Sequence, residues 1–476
     1  MCETVKISIV GRVQGVGFRP FIFQLAHELG LKGTVQNNMD GVEVFIEGKI
    51  AQVELFLQSI EQKAPRLSRI DRIVVHQESF KGFSDFSIIE SRREGTSQLV
   101  IPVDAGICEQ CLAEMNNPLN FRYHYPFITC TQCGPRYTII DELPYDRPFT
   151  SMAHFALCPN CEKEYNNPMD RRHHAQPIAC PQCGPHLSLV SHDGNVVAQY
   201  DEALKLAGKL LLEGKILAVK GIGGFHLCCD ASNDEAVALL RSRKKRPNRP
   251  LAVMSFSIDD VKEFAFVSEA EEKMLKSPEA PIVILAKKRD YHLAENVAPN
   301  MTTVGVMLPY SPLHHLLLRE ADGRTLVMTS ANVSGLPIVY KNEECRKSVG
   351  EIADFYLMHN RDILHPVDDS VVQIVKETTD FFRKSRGYVP DALFSKNNVD
   401  GIVAFGGQQK TTFTLGRNQQ VFIGPHIGDL DNVNTMEHYK NELKHLLKWI
   451  DPKQEIGVID YHPNYQTRQL VKEFSF

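Results

Sequence analysis

The chain has no excess of positive charge. Its 53 Lys and Arg are outnumbered by 58 Asp and Glu, for a net charge of −5, so there is no counterion-driven reason to expect nucleic acid as the main partner. Long apolar runs are also missing. None reaches the ~20 residues that span a bilayer, because Lys205, Lys209 and Lys215 interrupt the best candidate; no membrane association is expected. No leader is evident either: Met1-Cys-Glu-Thr4 runs straight into a strand pattern. A cytoplasmic location is therefore expected, and a reducing compartment disfavours disulfides. What remains is ordinary globular composition, 43% apolar over 476 residues, enough for roughly three domains.

Cysteine is present in a pattern. Eight of the 12 form four Cys-x-x-Cys pairs, Cys108/Cys111, Cys130/Cys133, Cys158/Cys161 and Cys180/Cys183, separated by 18, 24 and 18 residues. The pattern repeats after 50 residues, and with it Asn117-Pro118 and Asn167-Pro168, Arg122 and Arg172, His124 and His174, and Gln-Cys-Gly-Pro at 132–135 and 182–185. Such knuckles make four-thiolate sites, each suited to one tetrahedral Zn²⁺ with Zn–S bonds of about 2.3 Å. Two structural zinc ions are expected, each within one repeat (108/111/130/133 and 158/161/180/183). Interleaved pairing is the alternative, and a disulfide framework is the plainer reading of cysteines alone. Gly134 and Gly184, after the second knuckles, suit a turn with φ > 0. Cys2, Cys228, Cys229 and Cys345 lack ligand spacing and read as buried or incidental thiols.

In the first ninety residues, Val5–Val10 alternates as a strand and Pro20 reads as the first residue of a helix over 21–29. Strands at 34–37 and 42–47 around Asp40-Gly41, a helix at 50–63 and strands near 70–77 and 84–90 complete a β-α-β-β-α-β, ferredoxin-like order. Gly11, Gly15 and Gly17 bare backbone N–H groups before a helix N-terminus, which favours an anion. Arg19 adds a fork of donors. A tight turn is the bland reading of the same glycines. The segment resembles the acylphosphatase family, whose signature Gly-x-Val-Gln-Gly-Val-x-Phe-Arg stands at 11–19. The resemblance implies Arg19 as the phosphate-binding arginine, Asn37 as the residue orienting water, and Gly15, Val16, Gly17 and Phe18 as the phosphate loop. It also implies hydrolysis of a carboxyl or carbamoyl phosphate, an activated anhydride that needs positioning more than a strong base.

Further on, 201–213 reads as an amphipathic helix and 216–219 as a buried strand. A helix near 233–243 ends in Arg241, Arg243, Lys244, Lys245 and Arg246, with Arg249 beyond. Such a run is ordinarily a solvated helix end, but Pro250-Leu-Ala-Val-Met254 returns to a buried strand, so the cations stand at a strand mouth. Lys244-Lys-Arg246 and Ser330-Ala-Asn332 resemble the Lys-x-Arg and Ser-x-Asn elements of the YrdC-like fold. This implies ATP, an acyl-adenylate, and Lys220, Lys244, Arg246, Arg249, Ser330, Asn332 and Arg386 as nucleotide-binding residues. Asp368 and Asp369 either reach the Mg²⁺ of ATP or form a solvated acidic pair. In the last segment Gly406-Gly…Lys410-Thr-Thr412 mimics a P-loop, but Gln409 stands where Gly must precede Lys. His426 and His462 are assigned no ligand role.

All four segments in this order resemble the HypF carbamoyltransferase family of nickel–iron hydrogenase maturation. Lys220-Gly-Ile-Gly-Gly-Phe-His-Leu227, Gly305-Val-Met-Leu-Pro309 and His426-Ile-Gly-Asp-Leu430 carry the resemblance. It implies a multidomain α+β chain. An acylphosphatase-like domain spans 1–91, a double four-cysteine zinc-finger module 105–190, a YrdC-like nucleotide-binding α/β domain 200–390, and an incomplete ASKHA-type carbamoyl-transfer lobe 398–476. Carbamoyl phosphate and ATP are the implied substrates, carbamoyl-adenylate the intermediate, and the C-terminal Cys of HypE the acceptor. Family members continue past residue 476, so a marginal last lobe with one uncovered sheet face is expected, with adenylate formation retained and transfer to HypE lost. The zinc module is expected merely to join its neighbours, so chelation should unfold 105–190 and spare Arg19-dependent hydrolysis. Competing readings are a tRNA threonylcarbamoyl-adenylate synthase, a zinc-finger nucleic-acid binder using Arg122, Arg136, Arg171 and Arg172, and a non-catalytic scaffold.

Overall fold

The computed structural model describes residues 2–38, 41–89, 99–333 and 335–474. Strand β1 (Cys2–Arg12) alternates, burying Val5, Ile7 and Ile9. It pairs antiparallel with β3 (Gly41–Lys49) and β4 (Arg69–Glu78). Strand β2 (Lys32–Asn38) joins β3 and, in parallel, a short β5 (Phe86–Ile88), giving the order β4-β1-β3-β2-β5. Helices α1 (Phe18–Glu28) and α2 (Ile50–Gln62) pack Ile22, Leu25, Val53 and Phe56 into the same core. Strands β4-β1-β3-β2 give the expected ferredoxin-like order, and β5 adds a fifth strand beyond β2. Helix α1 begins at Phe18, with Gly17 as N-cap. Pro20 therefore sits inside the first turn, where its missing N–H costs no intrahelical bond. Asp40 and residues 90–91 lie outside the described residues.

The cysteine repeats each open with a short helix, Glu109–Asn116 and Pro159–Asn166, capped by Cys108 and Cys158. Sulfurs gather within each repeat, not between them. Neighbouring Sγ atoms lie 3.6–3.8 Å apart in the first set and 3.6–3.7 Å in the second. A tetrahedron with Zn–S bonds of about 2.3 Å has edges of about 3.8 Å, so both sets fit zinc. Gly134 adopts the expected left-handed turn at φ 88°. Gly184 does not; a Cβ there would stand 2.1 Å from Tyr125 Oη, so close packing is what demands glycine.

The repeats brace each other through exchanged arginines. Arg122 donates to Glu164 (2.5 Å), to Cys161 Sγ (3.2 Å) and to the Ala179 carbonyl (2.8 Å). Fifty residues on, Arg172 donates to Glu114 and to the Thr129 carbonyl (3.0 Å). Arg171 points at Cys111 Sγ (3.1 Å), and N–H groups on sulfur offset the negative charge of a four-thiolate site. Arg136 donates to the carbonyls of Cys130, Thr131, Cys133 and Pro135. Arg122, Arg136 and Arg172 are buried, so these cations are structural, not a base-stacking surface.

The third unit is an eleven-stranded mixed sheet. Its order is Thr378–Arg383, Val371–Val375, Ile282–Ala286, Thr303–Met307, Ala252–Met254, Leu326–Ser330, Phe225–Asp230, Leu217–Lys220, Phe355–His359, Leu187–Ser191 and Val196–Gln199. Leu217–Lys220 and Phe225–Asp230 are buried throughout, as the apolar runs require. The core holding Leu211, Val219 and Leu317 runs on without a break into Cys111, Met115, Phe127 and Cys133. The cysteine module is thus a layer of the third unit's core, and the expectation of a mere joint is corrected.

The last unit orders its strands Ala392–Phe394, Gln420–Ile423, Thr414–Arg417, Ile402–Ala404 and Ile456–Val458, with helix Val433–Ile450 against them. Its core takes in Ile101 from the segment before the cysteine module, Tyr137 and Ile140 from the module, and Val367 from the third unit. Leu393, Phe394, Ile456 and Val458 are exposed on its two edge strands, while the helix side is clamped by its neighbours. Arg122→Ala strips a buried guanidinium from Glu164 and Cys161. It should cost about 3 kcal/mol and loosen metal in the second sulfur set, read by chemical denaturation and by metal content; unchanged stability would refute the bracing role.

Candidate active sites

The first site forms where β1 hands over to α1. Gly15 (φ 70°) and Gly17 (φ 77°) turn the chain in a conformation closed to most side chains, which leaves bare amides at a helix N-terminus. Val16 and Phe18 bury their side chains, so each offers the loop only its backbone. Arg19 and Asn37 share a cavity of about 510 Å³ with this loop. Asn37 Oδ1 is buried without a hydrogen-bond partner, an acceptor aimed at a missing donor such as water.

The cavity's opposite wall comes from the cysteine module. Thr131, Arg136, Tyr145, Asp146, His173 and His174 line it. Thr131 stands so close that a Cβ on Gly17 would meet its Oγ1 at 2.5 Å. Burial lowers the Arg19 guanidinium while Asp146 raises it. Burial, then His174 and Arg19, push His173 down to about 4, and burial and Arg19 lower His174. Both imidazoles are neutral at neutral pH, and His173 Nδ1 is buried without a partner. Sequence reasoning missed this wall; its only trace was the Arg-His pairing repeated at 122–124 and 172–174.

The second site, a cavity of about 280 Å³, lies between the third and last units. Lys244, Arg246, Arg249, Ser330 and Asn332 line it together, with Asp368 and Arg383. Lys244 closes helix Asp234–Lys244, and its ammonium donates to the Ser330 carbonyl (2.6 Å), the Asn332 carbonyl (2.7 Å) and Asn332 Oδ1 (2.9 Å). All three of its protons are engaged, so Lys244 moors the Ser330–Asn332 loop. Arg246 reaches the Pro250 carbonyl (2.6 Å). Burial, then Arg249, Arg241 and Arg383, push it down to about 10, the mark of cations crowded around a place for an anion.

Lys220 and Arg386 do not line this cavity. Lys220 is buried and donates to the carbonyls of His359 (3.3 Å) and Arg361 (3.0 Å). Arg386 lies behind the cavity, 2.7 Å from Asp369, and packs on the Tyr310 ring at 3.5 Å. Asp369 is no solvated carboxylate: it is buried between Arg386 and His226 Nε2 (2.9 Å). Burial raises its pKa, but Arg386 and His226 outweigh this and hold it below the usual range. Its oxygens are therefore occupied, whereas Asp368 faces the cavity with Arg383 3.7 Å away. Lys410, His426 and Asp429 enter from the last unit, a contribution invisible to local motifs.

Residues 5–88 match the model described as acylphosphatase, 107–140 and 157–190 the HypF finger, 209–385 telomere recombination, and 397–476 the HypF Kae1-like domain. The carbamoyltransferase HypF of Synechocystis sp. is 45% identical over 473 residues, 99% of this chain and 61% of that protein. A crystal structure of full-length HypF in the phosphate- and nucleotide-bound form is similar at TM-score 0.91 and 43% identity, covering 100% of this chain and 62% of that one. The crystal structure of T. kodakarensis HypF gives 0.89 at 42%, covering 99% and 61%. The chain spans about three fifths of the length of these relatives. With identity above 40% sustained across the whole chain, and finger and Kae1-like models matched in sequence order, the chain belongs to the HypF family.

Proposed function

We propose that this chain converts carbamoyl phosphate to carbamate at the first cavity and joins carbamate to ATP at the second. In the first step a water held by Asn37 attacks phosphorus. The P–O bond to the carbamoyl group breaks, carbamate leaves with the bridging oxygen, and Arg19 with the loop amides holds the phosphoryl oxygens as charge moves onto them. The neutral His173 and His174 keep the wall polar without adding a competing cation. In the second step a carbamate oxygen attacks the α-phosphorus of ATP and pyrophosphate leaves, giving carbamoyl-adenylate. Arg246, Arg249 and Arg383 supply the charge that the triphosphate requires, Lys244 fixes the Ser330–Asn332 loop, and Asp368 would hold the Mg²⁺ that accompanies ATP. The carbamoyl group is then destined for the C-terminal Cys thiolate of HypE, which displaces AMP during hydrogenase maturation in the cytoplasm. The observation that carries this reading is the pairing of two cation-lined cavities in one body, the first with an orphaned acceptor beside a bare helix N-terminus. The crystallised relative with phosphate and nucleotide bound supports it.

The two sulfur tetrahedra would hold structural Zn²⁺, since four thiolates close the coordination sphere. Because Thr131, Asp146, His173 and His174 wall the first cavity, chelation should abolish phosphate release along with the module's fold. Full hydrolysis by metal-stripped protein would contradict this wall. Arg19→Ala should slow phosphate release from carbamoyl phosphate about 10³-fold, with ATP binding unchanged by calorimetry. Arg246→Ala should raise the KM for ATP ~30-fold, the loss of about 2 kcal/mol from a charge-assisted phosphate contact, and leave phosphate release untouched. An equal loss of both activities in either variant would sink the assignment of separate sites.

A further inference from the structure

Three units meet at a cluster that this chemistry does not use. His365 follows strand Phe355–His359 of the third unit, and Glu442 and His445 sit three residues apart on helix Val433–Ile450, hence on one face. The side chains of His365 and Glu442 are each 3% exposed, while His445 faces solvent. His365 Nε2 lies 3.0 Å from the Ile140 carbonyl of the cysteine module. A carbonyl only accepts, so Nε2 carries a proton, and in the neutral ring Nδ1 then presents its lone pair. That Nδ1 is buried without a hydrogen-bond partner and stands 3.5 Å from Glu442 Oε2. Tyr137 donates to the same carboxylate oxygen at 2.8 Å. The His445 ring lies 5.0 Å from that of His365, at 88°. One ligand atom from each of the three residues falls within 4.8 Å of the others.

A lone pair and a carboxylate facing each other in a buried place repel unless a cation or a proton joins them. We propose that His365 Nδ1, Glu442 and His445 form a third metal site, which takes one divalent transition ion of the zinc class with water in the fourth position. Two imidazoles and a carboxylate are a zinc donor set quite unlike the all-sulfur sites, and donors at 2.0–2.2 Å from one ion stand about 3.3–3.6 Å apart. The supporting contacts are those of ligands: the Ile140 carbonyl fixes the tautomer and tilt of His365, and the Tyr137 hydroxyl orients Glu442. Solvent-facing His445 gives the ion its way in. Because the ligands and their supports come from the cysteine module, the third unit and the last unit, the ion pins helix Val433–Ile450 to the other two. The rival is a proton, which would join His365 to Glu442 and leave His445 without a role.

The test is the metal content of the full chain, loaded with zinc and passed over a weak chelating resin. Wild type should retain three zinc ions per chain. Glu442→Gln and His445→Ala should retain two, and His462→Ala, which removes an exposed histidine elsewhere, should retain three. Because His445 is at the surface, its loss leaves the fold intact. Cobalt loading gives a second readout: wild type should show d–d absorption beyond that of the two thiolate sites, and His445→Ala should lack it. Two zinc ions in wild type, three in His445→Ala, or an equal loss in His462→Ala would each overturn the site in favour of a proton or adventitious binding.

Discussion

Two tetrahedra of sulfur set the terms for the rest of the molecule. A four-thiolate zinc site contributes on the order of 10–16 kcal/mol of apparent binding free energy, as much as the net stability of an entire domain. It can therefore hold loop-rich chain in shapes that its own core would never fix. Here those shapes supply Thr131 against Gly17, the histidines opposite Arg19, Phe127 in the large sheet's core, and Tyr137 with Ile140 in one core with helix Val433–Ile450. The exchange of Arg122 and Arg172 between repeats turns two separate knuckle sets into one rigid block. Both cavities inherit their walls from contacts between units, so neither belongs to a single motif.

The cations divide into two groups by what surrounds them. Arg122, Arg136, Arg172, Arg386 and Lys220 are buried on carbonyls, carboxylates or sulfur, where a guanidinium or ammonium organises backbone that would otherwise lack donors. Arg19, Arg246, Arg249 and Arg383 face cavities. Lys244 and Arg136 belong to both groups, Lys244 lining the second cavity while its protons hold the Ser330–Asn332 loop and Arg136 lining the first while it holds backbone carbonyls. Only the cavity-facing group is free to meet phosphate, and its mutual repulsion is relieved when an anion arrives.

Legibility in the sequence followed the range of the signal. The Cys-x-x-Cys spacing and the 50-residue repeat specify eight thiolates in two four-sulfur sets, and the structure settles the pairing within each repeat. The glycine loop before α1 was readable for the same reason: positive φ selects glycine. Lys220 and Arg386 are named for the nucleotide by resemblance alone, and the sequence does not show that both stand on buried partners outside the cavity lining, because a cation reads the same whether it meets phosphate, a carboxylate or backbone carbonyls. His173, His174, Asp146, Lys410 and His426 lie far along the chain from the loops they face, so no local pattern could attach them to a site. The module's role as a core layer was equally hidden, since Phe127 and Met115 read as ordinary apolar residues until the sheet stands beside them.

The central claim is that carbamate made beside Arg19 is what the Lys244–Arg246 cavity adenylates. It is tested most directly by pyrophosphate release in Arg19→Ala protein given either carbamoyl phosphate or ammonium bicarbonate, whose equilibrium supplies free carbamate. The account predicts that release fails with carbamoyl phosphate and is restored by free carbamate. Undiminished release from carbamoyl phosphate in this variant would contradict it.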